Sequence, residues 1–406
     1  MRGETSGPEG RDESIGFRIA RERKLRGLTQ TRLAELVPCS KSLIAQVERG
    51  HKPATPALVA GVARALRTAP GTLTGQPYEE TGRHQGRIHA AVPEVRRALL
   101  TWDLPDEEMP VRPVERLRAD VAHASALGRQ ARYAQLGEML PALLDELTRA
   151  ARSADGSRRN ELYALLSEAY TGATAIAYAL GLLDLRGLAM ERVAWAASES
   201  QDPLRVARTQ WQRATLFLNT ASYDKGLVLL ERIRREIGDD PSRLSPAEIS
   251  MYGAAHLRSA VFAARAANRP TALEHIEYAR EAARYLGGDA NHYGLEFGPS
   301  NVIMHHVAVA VELCDGTEAV RLAGQEPLPP SVAPVRLGHH YIDLARGWLY
   351  HGDRRKSFAT LLDARRVAPQ QTRNHPMVRE TIRMLVQLDR RCSKPLSTFA
   401  TWLGMH

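Results

Sequence analysis

Basic side chains that could bind a polyanion are concentrated near the amino terminus of the chain. Between residues 14 and 78, eleven Lys and Arg residues stand against three Glu residues, so about a sixth of the 406 residues holds +8 of the net +9 charge. The basic residues are Arg18, Arg21, Arg23, Lys24, Arg26, Arg32, Lys41, Arg49, Lys52, Arg64 and Arg67. Clustered cations attract phosphate groups, so this segment favours a nucleic acid as partner. The alternative is a solvated basic face that binds nothing.

Short helices are predicted to position these cations. Four hydroxyl residues each precede a run of apolar residues at helical spacing, and a hydroxyl at this place accepts a hydrogen bond from the first turn of a helix. These caps are Ser14, Thr29, Ser40 and Thr55. Pro56 suits the first helical position, where no N–H is needed. With a fifth short helix over 70–73, the segment 14–78 is predicted to be a compact all-α domain.

The second and third of these helices resemble the helix-turn-helix of the Cro/C1 repressor (XRE) family. The matching residues are Leu28-Thr29-Gln30, Leu33-Ala34, Ser40, Ser42, Ile44, Val47-Glu48 and Gly50. The resemblance extends over residues 15–73. It implies a domain that binds double-stranded operator DNA, with the helix over residues 40–49 in the major groove.

The resemblance also implies roles for individual side chains. The base readers would be Lys41, Ser42, Ala45 and Gln46. Lys suits the acceptors of guanine, Gln can form a bidentate contact with adenine, and an Ala methyl can contact thymine. The phosphate contacts would be Thr29, Gln30, Ser40, Arg49 and Lys52. Such contacts fix the register of a protein on the duplex and carry no base information.

Pro38 departs from the family pattern, which usually has Gly in the turn between the two helices. Proline fixes its own φ near −65° and restrains the preceding Val37, whereas glycine permits positive φ. We therefore expect a locally different turn, and the angle between the second and third helices could shift.

The remainder of the chain is predicted to contain a tail, a linker and a long helical region. Residues 1–13 are polar and predicted to be disordered. Residues 79–114 contain four prolines, which favour a partly structured linker with one short helix over about 94–102. From residue 115 to 406, apolar residues recur at helical spacing without sustained period-two alternation.

Helix pairs recur along this C-terminal region, with helix starts near residues 184, 223, 270, 316 and 353. The last unit, from Gly352-Asp353 through Ala364 to Pro369, resembles a tetratricopeptide repeat. Repeating pairs stack naturally into a solenoid, and the alternative is a generic helical bundle. The predicted fold is therefore all-α: an N-terminal five-helix Cro/C1-type helix-turn-helix domain followed by a C-terminal α-solenoid of tetratricopeptide-like helix pairs.

The resemblance to tetratricopeptide repeats implies a ligand groove lined by the first helix of each pair. Candidate groove residues are Arg208, Trp211, Thr215, Asn219, Asn301, His305, Arg346 and Tyr350. Asparagine suits a peptide backbone because its amide both donates and accepts hydrogen bonds. For each of these residues, packing or solvation is the alternative.

Catalytic, metal and cofactor sites are not predicted. The chain contains no HExxH, G-x-S-x-G, Walker loop or strand-linked GxGxxG motif. Two pairs of adjacent histidines, His305-His306 and His339-His340, diverge by about 100° within each pair on a helix, although one from each pair could meet across helices.

The few cysteines and the polar N-terminal residues favour a cytoplasmic protein. Cys39, Cys314 and Cys392 are too separated for a disulfide framework, which fits a reducing compartment. No signal peptide or membrane-spanning segment is predicted.

The sequence thus predicts a regulator that binds operator DNA as a homodimer and responds to a peptide or small-molecule effector in the groove. The alternative is a regulator or adaptor whose repeats only dimerise or bind a protein partner, without a ligand.

Overall fold

The computed structural model describes residues 13–78, 86–105, 108–389 and 393–405. Across these ranges the chain is helical, and the only β-type pairing is an isolated bridge between Ala290 and Phe297. The predicted all-α class is therefore confirmed. Of the tail predicted over residues 1–13, only Glu13 lies within the described residues.

Five short helices form the N-terminal domain, as predicted. They are α1 (Ile15–Leu25), α2 (Gln30–Leu36), α3 (Lys41–Glu48), α4 (Pro56–Leu66) and α5 (Pro70–Thr74). The four predicted caps are confirmed, because each hydroxyl accepts a hydrogen bond from the backbone N–H three residues later. The distances are 3.1 Å for Ser14, 3.1 Å for Thr29, 3.2 Å for Ser40 and 3.2 Å for Thr55.

The helix α1 crosses α3 at Gly16, where the two backbones approach closely. A Cβ atom at this position would lie 2.0 Å from the carbonyl oxygen of Val47. Only a residue without a side chain permits this crossing. The position of α3 in the domain therefore depends on a glycine in α1.

A longer helix than predicted follows the N-terminal domain. The helix α6 (Gly86–Leu100) begins earlier than the expected start near residue 94 and contains Pro93. Ile88, Val95 and Leu99 are buried in the core of the helical region, so apolar packing on both sides of Pro93 stabilises the helix despite the missing N–H.

Six antiparallel helix pairs make up the repeat region of the described chain. The first helices are α7 (Val114–Arg129), α9 (Gly156–Leu180), α11 (Pro203–Asn219), α13 (Pro246–Arg265), α15 (Pro299–Glu312) and α17 (Pro334–His351). The second helices are α8 (Tyr133–Arg152), α10 (Leu183–Glu199), α12 (Tyr223–Ile237), α14 (Arg269–Leu286), α16 (Gly316–Ala323) and α18 (Arg354–Val367). The five predicted helix starts are confirmed to within one residue.

The pairs stack, and the stack curls until its two ends meet. First helices contact first helices of neighbouring pairs, as α13 contacts both α11 and α15, while α17 also contacts α7. Three terminal helices follow: α19 (Pro369–Asn374), α20 (Pro376–Leu388) and α21 (Lys394–Trp402). A backbone N–H of Ala134 donates to Gln370 Oε1 at 3.2 Å, which also joins the beginning of the repeats to their end.

The N-terminal domain packs on this closed end of the repeats. Its apolar core is continuous with side chains of α17, α18, α20 and α21. The backbone N–H of Ala54 donates to Glu380 Oε1 at 3.0 Å, and the guanidinium of Arg379 lies 3.7 Å from the ring centroid of Tyr78. On another side, Arg64 Nη1 donates to the Ala221 carbonyl at 2.9 Å.

None of the helices in the described part of the chain combines the length and apolar character that a bilayer span requires.

Candidate functional site

The helix α3 presents a polar face to solvent and an apolar face to the domain core. Ile44 and Val47 are only 1% and 2% exposed. On the outer side, Lys41 and Ser42 are exposed, Ala45 and Gln46 are half-buried, and Gln46 Nε2 donates to Ser42 Oγ at 3.1 Å. The four residues predicted to read bases therefore lie along the non-core face of one helix. Their side chains remain accessible to a partner.

The residues predicted to contact phosphate surround this face. Arg49 and Lys52 are exposed just after α3 ends. Thr29 and Ser40 cap α2 and α3, and a hydroxyl that accepts from a backbone N–H can still donate its own proton. Gln30 is held differently, because its amide Nε2 donates to Glu48 Oε2 at 2.7 Å.

A buried ion pair between Arg23 and Glu48 connects α1 to α3. Arg23 donates to Glu48 through Nε at 2.7 Å and through Nη2 at 2.8 Å, and its Nη1 donates to the Leu28 carbonyl at 2.7 Å. Burial acts to raise the pKa of Glu48, but the hydrogen bonds from Arg23 and Gln30 outweigh it and the pKa lies below its ordinary value. In the sequence, Glu48 stands out only as part of the motif, and its pairing with Arg23 was not predicted.

Pro38 occupies a tight turn between α2 and α3. Val37 is extended, with φ −126° and ψ 139°, as the residue before a proline should be. The Cys39 N–H donates to the Val37 carbonyl at 2.6 Å, the i to i+2 pattern of a γ-turn around Pro38. An inverse γ-turn needs a central φ near −75°, which proline supplies, so no glycine is required.

A cavity of about 250 Å³ lies in the groove of the curled repeats. Four of the predicted groove residues line it: Thr215, Asn301, His305 and Arg346. Asn219 lines an adjoining cavity of about 150 Å³. Pro56 of the N-terminal domain lines both cavities, so each cavity is lined by residues of the N-terminal domain and of the repeats.

Three predicted groove residues do not line these cavities. Arg208 is buried and lies 3.0 Å from Glu168. Trp211 is buried, with its indole N–H donating to the Ala254 carbonyl at 2.9 Å. Tyr350 packs beside Arg346, whose guanidinium lies 6.0 Å from the Tyr350 ring centroid. Arg208 and Trp211 thus contact neighbouring helices, whereas the contact between Tyr350 and Arg346 lies within α17.

Several residues that were not predicted from the sequence also line the groove cavity. They include Tyr178, Arg258, Arg265, Arg336, His339 and His375. A signal for several of them was present, because Arg258 and Arg265 are seven residues apart in α13 and Arg336, His339, Asp343 and Arg346 follow one another at spacings of three and four in α17. Such spacing places polar groups on one helical face.

Burial and positive charge keep the groove histidines neutral. Burial, reinforced by the charge of Arg336, lowers the pKa of His305 to about 3 and that of His339 to about 4. Burial alone lowers the pKa of His340 to about 4. At neutral pH these imidazoles therefore act as hydrogen-bonding groups without charge.

The pKa values of two carboxylates in the groove are shifted in opposite directions. Burial raises the pKa of Asp343 to about 6, and the adjacent Arg346 offsets this only in part. Burial also acts to raise the pKa of Glu312, but Arg265 at 3.4 Å and Arg346 at 3.6 Å outweigh it and hold that pKa low. In the described part of the chain, no group of three or more His, Cys, Asp or Glu residues is arranged to hold a metal ion.

Comparison with protein families assigns the N-terminal domain. A family model described as "Helix-turn-helix domain" matches residues 14–74, the segment that contains α1 to α5. The chain therefore carries an XRE-like helix-turn-helix domain at its N-terminus, as the sequence predicted.

Comparison with solved structures gives a loose match over most of the chain. The crystal structure of Bacillus thuringiensis PlcR in complex with the peptide PapR7 and DNA is similar at a TM-score of 0.34 and 15% sequence identity, covering 86% of this chain and 99% of that one. No curated protein sequence matches the chain.

Proposed function

We propose that the protein is a sequence-specific DNA-binding transcriptional regulator, which binds operator DNA as a homodimer and is controlled by a peptide or small-molecule effector in the groove. The observation that carries this proposal is the helix-turn-helix domain over residues 14–74, whose helix α3 has an accessible polar face. In domains of this class the corresponding helix enters the major groove.

The division of side chains supports distinct roles in DNA binding. Lys41, Ser42, Ala45 and Gln46 lie along the face that would meet base edges, where Lys and Gln supply the donors and acceptors for direct readout. Thr29, Gln30, Ser40, Arg49 and Lys52 are proposed to contact phosphates. In the free protein Gln30 bonds to Glu48, so its phosphate contact uses a free amide proton or a changed rotamer.

The size of the reading surface supports a homodimer. The helix α3 has only eight residues, and a helix of this length contacts a few base pairs. Two copies on half-sites about one helical turn apart double the number of base contacts. The proposal therefore includes an operator with two related half-sites.

Effector control is supported by the place of the cavity. Pro56 of α4 and Met377 of α20 line the same space as the groove residues, so a ligand there touches both the DNA-binding domain and the repeats. A ligand shifts a conformational equilibrium only when it binds the two states with different affinity. A site between the two domains satisfies the geometric requirement, because its volume depends on how they pack.

The test begins with operators selected from random double-stranded DNA and measured by fluorescence anisotropy. Lys41→Ala and Gln46→Ala should each reduce the preference for the selected operator over scrambled DNA by about 1–3 kcal/mol, the value of a good base contact. Arg49→Ala should weaken binding to both DNAs alike. Lys225→Ala, which removes an exposed lysine from α12, serves as the matched control.

Retention of the full operator preference in both Lys41→Ala and Gln46→Ala would overturn the assignment of base readers. Absence of selected DNA sequences, with a folded protein, would overturn the function itself.

A further inference from the structure

The groove cavity contains more positive than negative charge. Its charged lining residues are four arginines and two carboxylates: Arg258, Arg265, Arg336, Arg346, Glu312 and Asp343. Arg265 and Arg346 share Glu312, and Arg346 also contacts Asp343 at 3.0 Å. These four groups neutralise one another, which leaves Arg258 and Arg336 without a carboxylate partner in the cavity lining.

Arg258 is a cation without a carboxylate partner in the described part of the chain. Its Nη1 donates to the Trp211 carbonyl at 3.1 Å, and its guanidinium lies 3.5 Å from the centroid of the Trp211 ring. Burial and the like charges of Arg336 and Arg186 move the pKa of Arg258 well below its usual value. A stacked guanidinium with like-charged neighbours stabilises an incoming anion.

The neighbouring arginines have neutral partners or, for Arg336, one carboxylate outside the cavity lining. Arg336 donates from Nη2 to the Leu295 carbonyl at 2.8 Å, and its Nε lies 3.5 Å from Glu296. Arg186 bonds to the Thr215 hydroxyl and lies 4.7 Å from the centroid of the Tyr178 ring. Arg258 thus lies near two further cations, and within the described residues Glu296 is the only carboxylate in contact with any of the three. Keeping such charges together costs free energy that an anion would recover.

Unpaired polar atoms at the same wall indicate what else a ligand must carry. Five buried atoms of the lining residues have no hydrogen-bond partner: Arg265 Nε, Arg346 Nη2, His340 Nδ1, Asn301 Oδ1 and Glu312 Oε2. The two arginine atoms are donors, the imidazole nitrogen donates or accepts according to its tautomer, and the two oxygens are acceptors that call for an N–H group. Asn301 is fixed for this role, because its Nδ2 donates to the Glu296 carbonyl at 3.0 Å and leaves the oxygen free.

We infer that this cavity binds an organic carboxylate that also carries an N–H group, with the carboxylate beside Arg258 and Arg336 and the N–H directed to Asn301 or Glu312. A derivatised amino acid and the carboxyl end of a peptide share this chemistry. The cavity of about 250 Å³ and its neighbour of about 150 Å³ suit a small ligand or a chain end. The inference rests on the proposed function only for its regulatory meaning.

Binding is tested on the full chain without DNA, by isothermal titration calorimetry and thermal unfolding. The probes are N-acetylalanine and trialanine, each as the free acid and as the C-terminal amide. Both acids should bind saturably and raise the unfolding midpoint, whereas the amides should not. A stronger response to trialanine acid would identify a peptide end as the better ligand, and a stronger response to N-acetylalanine would identify a small metabolite.

Arg258→Gln should weaken binding of the acids by about ten- to a hundredfold, the range expected for a lost hydrogen bond to a charged group. Arg258→Lys keeps the charge and should retain part of the affinity. The matched control is Arg234→Gln, since Arg234 is a half-buried arginine that donates to the neutral Ser259 hydroxyl at 3.0 Å outside the cavity. If Arg258→Gln does not fold, Arg336→Gln takes its place with the same expected loss.

Equal binding of acids and amides, no binding of any probe, or unchanged affinity in a folded Arg258→Gln or Arg336→Gln variant would each overturn the inference. Operator binding, measured separately, reports on the proposed function independently of these results.

Discussion

Two sets of cations in this protein differ in how much water surrounds them. On the helix-turn-helix domain, Lys41, Arg49 and Lys52 are exposed. In the groove, Arg258 and Arg336 are partly covered by aromatic and backbone groups, and Arg258 has its pKa depressed by burial and like charge. Exposed cations are screened by salt and suit a long polyanion, while enclosed cations are screened less and suit one small anion. The same residue types thus fit two different ligands.

The largest expected difference between the two sets of cations is in how their ligand affinities depend on salt. Operator affinity should fall steeply with ionic strength, by about 10³-fold or more between about 50 and 200 mM salt if six or more phosphates are contacted. Binding of N-acetylalanine in the groove should change by less than about threefold, because its cations are partly enclosed. Anisotropy and calorimetry over one salt series measure both, and a parallel series in NaF controls for competition by chloride. Equal salt slopes would remove the distinction between the two surfaces.

Two helical glycines test how tightly each region is built. Gly16→Ala should lower the free energy of unfolding by about 3 kcal/mol, because its Cβ would lie 2.0 Å from the Val47 carbonyl oxygen where α1 crosses α3. Operator binding should weaken with it, since α3 is displaced. Urea unfolding and anisotropy measure the two effects.

The control for Gly16 lies in the repeats. Gly187 is inside α10, and a Cβ there would meet no atom within 4 Å. Gly187→Ala should therefore raise the free energy of unfolding by about 0.5–1 kcal/mol, the difference in helix propensity between the two residues. Similar effects of the two substitutions would show that the crossing of α1 and α3 is not tight.

Local signals made much of this fold predictable from the sequence. The caps Ser14, Thr29, Ser40 and Thr55 act within three residues, so their hydrogen bonds follow from the chain itself. The repeat starts were predictable for the same reason. The early start of α6 was not, because Pro93 argued against a long helix and only packing of Ile88 and Leu99 on distant helices outweighs it.

The candidate groove was predictable only in part. Arg346 and His305 follow from the phase of the first helices, and both line the cavity. Trp211 has the same phase but turns its indole N–H to the Ala254 carbonyl in the next pair. The contribution of Pro56 depends on how the two domains pack, a contact between residues far apart in sequence that periodicity cannot reveal.

Carboxylates in the two regions should respond to pH with opposite sign. Glu48 has a lowered pKa, so its stabilising contribution is present above the ordinary pKa of a glutamate and is lost as pH falls through the folded value. Asp343 has its pKa raised to about 6 by burial, beside Arg346, Glu312 and Arg265, so its contribution is present below the ordinary pKa of an aspartate and is lost as pH rises through about 6.

Unfolding free energies between pH 4 and 8 test this contrast. Asp343→Asn should become more stable than the wild type by about 2–3 kcal/mol as pH rises past 6, because the wild-type carboxyl, whose pKa is raised to about 6, must then ionise in a buried place. Glu48→Gln should be less stable than the wild type at neutral pH, and the deficit should shrink in acid. If the unfolding free energies of both variants departed from the wild type in the same direction as pH changes, the opposite pKa shifts of Glu48 and Asp343 would be contradicted.

A small effect is expected at one of the contacts that join the two regions. Glu380 is 6% exposed in α20 and accepts from the Ala54 N–H at 3.0 Å, although burial raises the pKa of its carboxyl. Glu380→Ala leaves that N–H unpaired but also removes a buried acid. The free energy of unfolding should therefore fall by only about 1 kcal/mol. Glu380→Gln keeps the acceptor without the charge and should leave the free energy of unfolding unchanged. Amide hydrogen exchange should therefore quicken in the helix-turn-helix domain of the Ala variant alone, with α13 unchanged. Faster exchange in α13 as well would mean that the two regions open as one unit, so that the groove and the DNA-binding face are not independently stable.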